Sequence, residues 1–287
     1  MRAASRWLGV AATVVLGIFA GADRSVGQPS SRTVDLELVL AVDVSQSMDR
    51  EEHALQKGGY VEAFRNKDVI NALMSGPQGK IAVTYMEWGG DFPVEVLIPW
   101  TIIDSEKSAH AFADTLDNEP VNSMERTSIS NALFSAADLI ERNDIISHRK
   151  VIDVSGDGAN NAGPPIEQAR DAVLKKGIVI NGLPIMLNKP MQFYDIPHLD
   201  RYYKNCVIGG PAAFIAPVFS LDQLAATIRK KLVLEIAGRE VEPGTAPVQF
   251  ASAATAGVSR VQLKLPTEKT DCFAGEKAIG SRFGFPG

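Results

Sequence analysis

Between Thr33 and Gly238, short apolar runs of strand length alternate with segments whose apolar residues return every three or four positions. Val34–Val42 holds Leu36, Leu38, Val39, Leu40, Ala41 and Val42, with acids only at 35 and 37. This predicts a strand half-exposed at its start and buried at its end. Arg50–Phe64 places Ala54, Gly58, Val61 and Phe64 on one helical face, and Asp49 with Glu52 has the spacing of a capping box. Val69, Ile70 and Leu73 predict a short second helix closed by Ser75-Gly76-Pro77. Lys80–Trp88 and Val94–Trp100 predict two strands joined by a hairpin-like loop, Gly89-Gly90-Asp91-Phe92-Pro93. Helices follow over Ser105–Leu116 and Ser128–Asn143, the second marked by Ile129, Leu133, Ala136, Ala137 and Ile140. Strands over Lys150–Ser155 and Ile178–Ile185 flank a helix over Pro164–Lys176, with proline in its first turn and Gly177 at its end. Tyr202 and Tyr203 fall in a short helix, and Ala213–Val218 reads as a last strand. Ser220 with Gln223 has the spacing to open a final helix running to about Ala237.

Repeated strand–helix–strand order predicts an α/β fold: a doubly wound, mostly parallel sheet with helices on both faces. The hairpin over residues 80–100 adds one antiparallel edge strand. In such sheets ligands bind outside the carboxyl ends of the strands, where the strand order reverses. The loops that matter therefore follow Val42 and Ile152, together with the loop that opens the helix at Ser128.

The chain has 287 residues, 45% of them hydrophobic and 22% charged, which is ordinary for a globular protein. A net charge of -5 leaves no basic surplus, so no nucleic-acid partner is expected. Arg2 and Arg6 precede the apolar run Trp7–Ala20, and Ala20-Gly21-Ala22 supplies small residues before Asp23. Residues 1–22 thus read as a removable secretory signal, too short in its apolar run for the roughly 20 residues of a membrane span. The expected product is secreted or periplasmic, with no stable membrane span after signal removal. Residues 23–32 read as a polar linker, 33–238 as the domain, and 239–287 as a mostly irregular tail with one strand-like patch, Val261–Leu265. Two cysteines are too few for a disulfide scaffold or a four-thiolate zinc site. Whether Cys206 and Cys272 pair is left open by the sequence.

The three loops collect oxygen. After the first strand comes Asp43-Val44-Ser45-Gln46-Ser47; before the clearest helix comes Glu125-Arg126-Thr127-Ser128; after the later strand comes Gly156-Asp157-Gly158. Two carboxylates and three hydroxyls suit a hard divalent cation such as Mg²⁺, and the same oxygens accept Mn²⁺ or Ca²⁺. Residues two apart in an extended turn point the same way, which lets Ser45 and Ser47 act together. Two carboxylates only neutralise the ion, so the metal would remain receptive to an outside carboxylate. Each segment alone is weak: Asp and Ser are ordinary turn residues, and Thr127 by itself reads as a helix N-cap. Their joint placement at strand ends carries the signal.

Asp43-x-Ser45-x-Ser47 after a hydrophobic strand, Thr127 opening a helix with Ala132-Leu133 behind it, and Asp157-Gly158 after another strand resemble the von Willebrand factor type A domain and its metal-ion-dependent adhesion site. Leu-Ala-Val-Asp-Val-Ser-Gln-Ser-Met and Val-Ser-Gly-Asp-Gly, in an exported chain, further resemble a bacterial secreted branch of that family with no assigned function. The resemblance implies a doubly wound sheet and a Mg²⁺-mediated hold on the Asp or Glu side chain of a protein partner. It implies Ser45, Ser47 and Thr127 as direct ligands, with Asp43 and Asp157 acting mainly through water. Two positions depart from the family. Many members have glycines where this chain has Glu125-Arg126, and many have Thr where it has Gly156. Neither change removes a coordinating oxygen, but Glu125 becomes a candidate competitor for the open position and Arg126 a candidate guide for the partner's carboxylate.

The alternative from a different class is a metal-dependent hydrolase or phosphoryl-transfer enzyme using the same cluster. The acids nearby in sequence are the presumed ligands, Asp49 and Glu125, and none makes a convincing general base. A serine-hydrolase elbow is absent. The four histidines are scattered without zinc-site spacing, and Trp88 ends a strand close enough to line a partner surface. The expectation is therefore a non-enzymatic binding module.

Overall fold

Strand β1 (Thr33–Asp43) lies at the centre of a five-stranded sheet because it is the most continuously apolar segment and can be covered on both faces. The computed structural model describes residues 32–90, 93–187, 196–238 and 270–283. The other strands are β2 (Ile81–Trp88), β3 (Glu95–Ile103), β4 (Ile146–Gly156) and β5 (Val179–Pro184), in the order β3-β2-β1-β4-β5. β1 pairs in parallel with β2 and β4, and β4 with β5. Only β3 runs antiparallel, beside β2, as the hairpin reading predicts.

Pleating sends alternate residues of β1 to opposite faces. Leu36, Leu38, Leu40 and Val42 join one core with Phe64 of α1 (Arg50–Arg65), Val69 of α2 (Lys67–Met74), Phe112 of α3 (Glu106–Asn118) and, further along the chain, Ile228 and Leu232. Val39 and Ala41 join the other with Leu133 and Ala137 of α4 (Ile129–Glu141) and Ala169 and Val173 of α5 (Ile166–Leu174). Then come α6 (Leu199–Tyr202), a π-helical turn (Tyr203–Val207), α7 (Leu221–Ala237), which carries Ile228 and Leu232, and α8 (Ala274–Phe283). At Gly59 a built Cβ would lie 2.7 Å from Ile228 Cδ1, so α1 and α7 pack at a distance that glycine permits.

Several local expectations are corrected. Glu37 is fully buried rather than exposed, because Ser147 Oγ and Asn143 Nδ2 donate to its carboxylate at 2.5 and 2.6 Å. On α1, Ala54 and Gly58 face solvent, and the buried side instead includes His53, Gln56, Gly59 and Tyr60. Ala213–Val218 forms isolated bridges to Gly182 and Ile185 rather than a sixth strand. Ser220 is the N-cap of α7, yet its side chain makes no cap hydrogen bond. The Asp49–Glu52 capping box does form. The signal reading of residues 1–22, nearly all of the linker and the Val261–Leu265 strand lie outside the described residues. In the described part of the tail, α8 is a helix that apolar periodicity does not announce, and Cys206 is bonded to Cys272. Among the described residues no helix is long and apolar enough to cross a membrane.

Candidate metal centre

Strand order reverses between β1 and β4, so the loop after β1 leads to α1 on one face and the loop after β4 leads to α5 on the other. The crevice between them is the switch point of a doubly wound sheet. Val42 pairs with Ser155, which sets Asp43 beside the start of the Asp157 loop.

Four of the five expected residues form a hydrogen-bonded chain across that crevice. Ser45 N donates to Asp43 Oδ1 at 2.8 Å, Ser45 Oγ lies 2.9 Å from Ser47 Oγ, and Ser47 Oγ donates to Asp157 Oδ1 at 2.5 Å. Thr127 approaches from the third loop. Its amide donates to Asn161 Oδ1 at 3.0 Å and its carbonyl accepts from Asn161 N at 2.9 Å. A Cβ built on Gly158 would lie 3.5 Å from Thr127 Oγ1, so that hydroxyl faces the Asp157 loop. The N-cap of α4 is Ser128, whose hydroxyl accepts from Asn131 N. The reading of Thr127 as a cap is therefore set aside.

Electrostatics at the centre are unfavourable without a counter-charge. Asp43 is fully buried, and its Oδ2 has no hydrogen-bond partner among the described residues. Burial, and then the neighbouring Asp157 carboxylate, push the Asp43 carboxyl well above the usual carboxylate range, against hydrogen bonds from Ser45 and from the Asp157 backbone. Tyr203, whose phenol is buried and also without a partner, is raised by burial and by the same two carboxylates. A buried carboxylate oxygen without a donor, a second carboxylate beside it and a row of hydroxyls together fit a hard cation. Among the described residues no group of three or more His, Cys, Asp and Glu side chains is placed to hold a metal. This cluster has two carboxylates and draws its remaining oxygens from hydroxyls.

The structure constrains both positions at which the sequence departs from the resemblance. A Cβ at Gly156 would lie 2.6 Å from Asp43 Oδ2 and 2.9 Å from the Tyr203 phenol oxygen, so no larger residue fits there without displacing them. Arg126 takes a left-handed conformation, φ 62°, which L side chains rarely adopt. Its backbone packs against Gly90, where a Cβ would meet Arg126 Cβ at 2.6 Å.

Apolar spacing misses the supporting residues. His53 Nε2 lies 3.1 Å from the Ser45 carbonyl, and Gln56 Nε2 donates to Ser155 Oγ at 2.8 Å. Both stand on the polar buried side of α1. Trp88 is buried in the core and lines no surface, while Glu125 and Arg126 are exposed at the rim.

This sheet, wound on both faces with its oxygen cluster at the switch point, defines a von Willebrand factor type A fold. Residues 33–240 match the model of a protein family of unknown function, DUF1194, and the chain belongs to that family. A search of curated protein sequences finds no match. Among solved structures, proximal thread matrix protein 1 from the mussel byssus, with a zinc-occupied MIDAS motif, aligns at TM-score 0.51 and 16% identity, over 71% of this chain and 46% of that one. The pilus adhesin SpaC from Lactobacillus rhamnosus GG aligns at TM-score 0.52 and 12% identity, over 71% and 30% respectively. A von Willebrand factor type A protein from Catenulispora acidiphila aligns at TM-score 0.48 and 13% identity, over 71% and 43%. The aligned region is thus less than half the length of each of these proteins.

Proposed function

We propose that the protein is an exported, adhesion-type binding module that holds Mg²⁺ at Asp43, Ser45, Ser47, Thr127 and Asp157 and through it captures an Asp or Glu side chain of a partner protein. The observation that carries this reading is the Asp43 carboxylate, fully buried at a strand end with one oxygen unpartnered and Asp157 beside it. Burying such a charge costs several kcal/mol unless it is paired or coordinates a metal. When bound, Mg²⁺ supplies an electrophilic centre with a coordination position open to an outside oxygen. The three hydroxyls contribute neutral oxygens, and the two carboxylates contribute the charge that retains the ion. Arg126, exposed next to Thr127, offers a guanidinium to the arriving carboxylate. The likeness to a pilus adhesin and to a byssal matrix protein with an occupied metal motif supports an adhesive rather than catalytic use.

The test is calorimetric titration of Mg²⁺ and Mn²⁺ into the purified protein and into Asp157→Ala. Asp157 is half-buried on a loop, so the variant stays folded with an unchanged melting temperature. Saturable binding in the parent that weakens more than about tenfold in the variant is expected, since a charged ligand is lost. No binding in the parent, or equal binding in both, overturns the assignment.

A further inference from the structure

The C-terminal helix α8 touches the metal loop, although it is remote from it in sequence. Gly275 packs so closely on the Asn160 carbonyl that a Cβ there would lie 2.1 Å from the oxygen. Asn160 Nδ2 donates to Glu276 Oε1 at 2.9 Å and to the Pro164 carbonyl at 3.2 Å. The Tyr202 phenol accepts from Asn160 N at 3.2 Å and donates to the Cys272 carbonyl at 3.5 Å. Just before α8, Cys272 is bonded to Cys206, and Asn205 Nδ2 donates to Thr270 Oγ1 at 2.5 Å.

Asn160 is fully buried and stands three residues after Asp157. Its Oδ1 accepts from Ser130 N at 3.0 Å, in the first turn of α4, while its neighbour Asn161 holds both backbone groups of Thr127. One loop therefore carries Asp157, fixes Thr127 and is itself held from behind by α8. The β1 side of the centre is tied to the sheet and α1 instead.

We propose that α8, anchored by the Cys206–Cys272 bond, is a built-in brace for the Asp157–Thr127 half of the metal centre, with Glu276 as its positioning residue. The carboxylate fixes the Asn160 amide so that its oxygen faces Ser130, because one amide cannot present nitrogen and oxygen on the same side. Gly275 allows the helix to sit against the loop backbone, and the disulfide keeps the helix there. The brace rests on the metal reading for its purpose but not for its existence, because all of its contacts are within the protein.

The experiment measures two quantities on the full chain. The first is hydrogen–deuterium exchange, without metal, at the amides of Thr127, Ser130, Asn160 and Asn161. The second is Mg²⁺ affinity by titration. Glu276→Ala, Gly275→Val and Cys206→Ala/Cys272→Ala are each expected to speed exchange at these amides by about tenfold or more, with β1 and β2 amides unchanged. Glu276→Gln keeps the acceptor oxygen and is expected to retain slow exchange, a rescue that general loss of packing would not give. Mg²⁺ affinity is expected to fall about three- to tenfold in the variants that loosen the loop and to hold in Glu276→Gln. Unchanged loop exchange in Glu276→Ala and Gly275→Val overturns the brace. So does faster loop exchange that leaves Mg²⁺ affinity at the parent value. Should the parent bind no metal, the metal reading fails, and the exchange data alone decide whether α8 holds the loop.

Discussion

Replacing Lys231 by methionine tests how the last helix is fastened to the sheet. Lys231 Nζ lies 2.5 Å from Asp153 Oδ1 on β4 and also donates to Glu235 Oε1 one turn along α7. The three side chains are at most 1% exposed. Asn181 Nδ2 donates to the same Glu235 oxygen at 2.9 Å. Burial, followed by Asp153, raises the Glu235 carboxyl to about 8, so at neutral pH Glu235 is largely protonated and Asp153 is the ion-pair partner of Lys231. Removing the ammonium leaves Asp153 as a buried charge without a counter-ion, at a cost of about 3–5 kcal/mol. Urea unfolding at pH 7 should therefore show a loss of about 3–5 kcal/mol for Lys231→Met. Lys231→Met/Asp153→Asn should recover about 2 kcal/mol of the loss. A single-variant loss below about 1 kcal/mol, or no recovery in the double variant, would refute the reasoning.

Glu87, nearly fully buried and hydrogen-bonded by Asn122, is raised to about 7, chiefly by burial and then by nearby Glu95. The unfolded chain releases this proton near 4.5 and the folded chain near 7, so stability falls as pH rises through that window, by at most about 3 kcal/mol. Glu87→Gln should flatten that part of a melting-temperature profile; an unchanged slope would count against it. Gly156→Ala drives a methyl group into Asp43 and Tyr203, and should cost about 1–3 kcal/mol in thermal unfolding while weakening Mg²⁺ binding. Parent-like values for both would show that the contact relaxes freely.

The sheet was legible because its strands are long apolar runs separated by amphipathic helices, a pattern with few other solutions. The oxygen cluster was legible because Asp43 ends a strand, Ser45, Ser47 and Asp157 fall just beyond strand ends, and Thr127 stands just before a helix. What stayed hidden was buried polarity. His53, Gln56, Glu37 and Lys231 are inside because partners satisfy them, and hydrophobic spacing assigns such residues to the surface. Residues 213–218 are apolar enough for a strand, but they meet β5 and the residue after it only through isolated bridges. Helix α8 was hidden for another reason: what fixes it is a covalent bond and a backbone contact at Gly275, neither of which leaves a periodic trace.

The two halves of the oxygen cluster differ in how they are held, and this sets which perturbations would reach the proposed metal. Asp43 ends a central strand, and Ser45 is tied back by Asp43 and by His53 on α1. Moving either means disturbing the sheet or a long helix. Asp157 and Thr127 stand on loops fixed to each other through Asn161, and its neighbour Asn160 is in turn held by α4 and α8. Loops of this kind open at lower free energy than core strands. A coordination sphere fails when any one of its oxygens drifts, so the proposed metal affinity would follow the looser half of the cluster. Changes that reach Asn160 should therefore act on metal binding well before they act on global unfolding, whereas changes in β1 should shift both together.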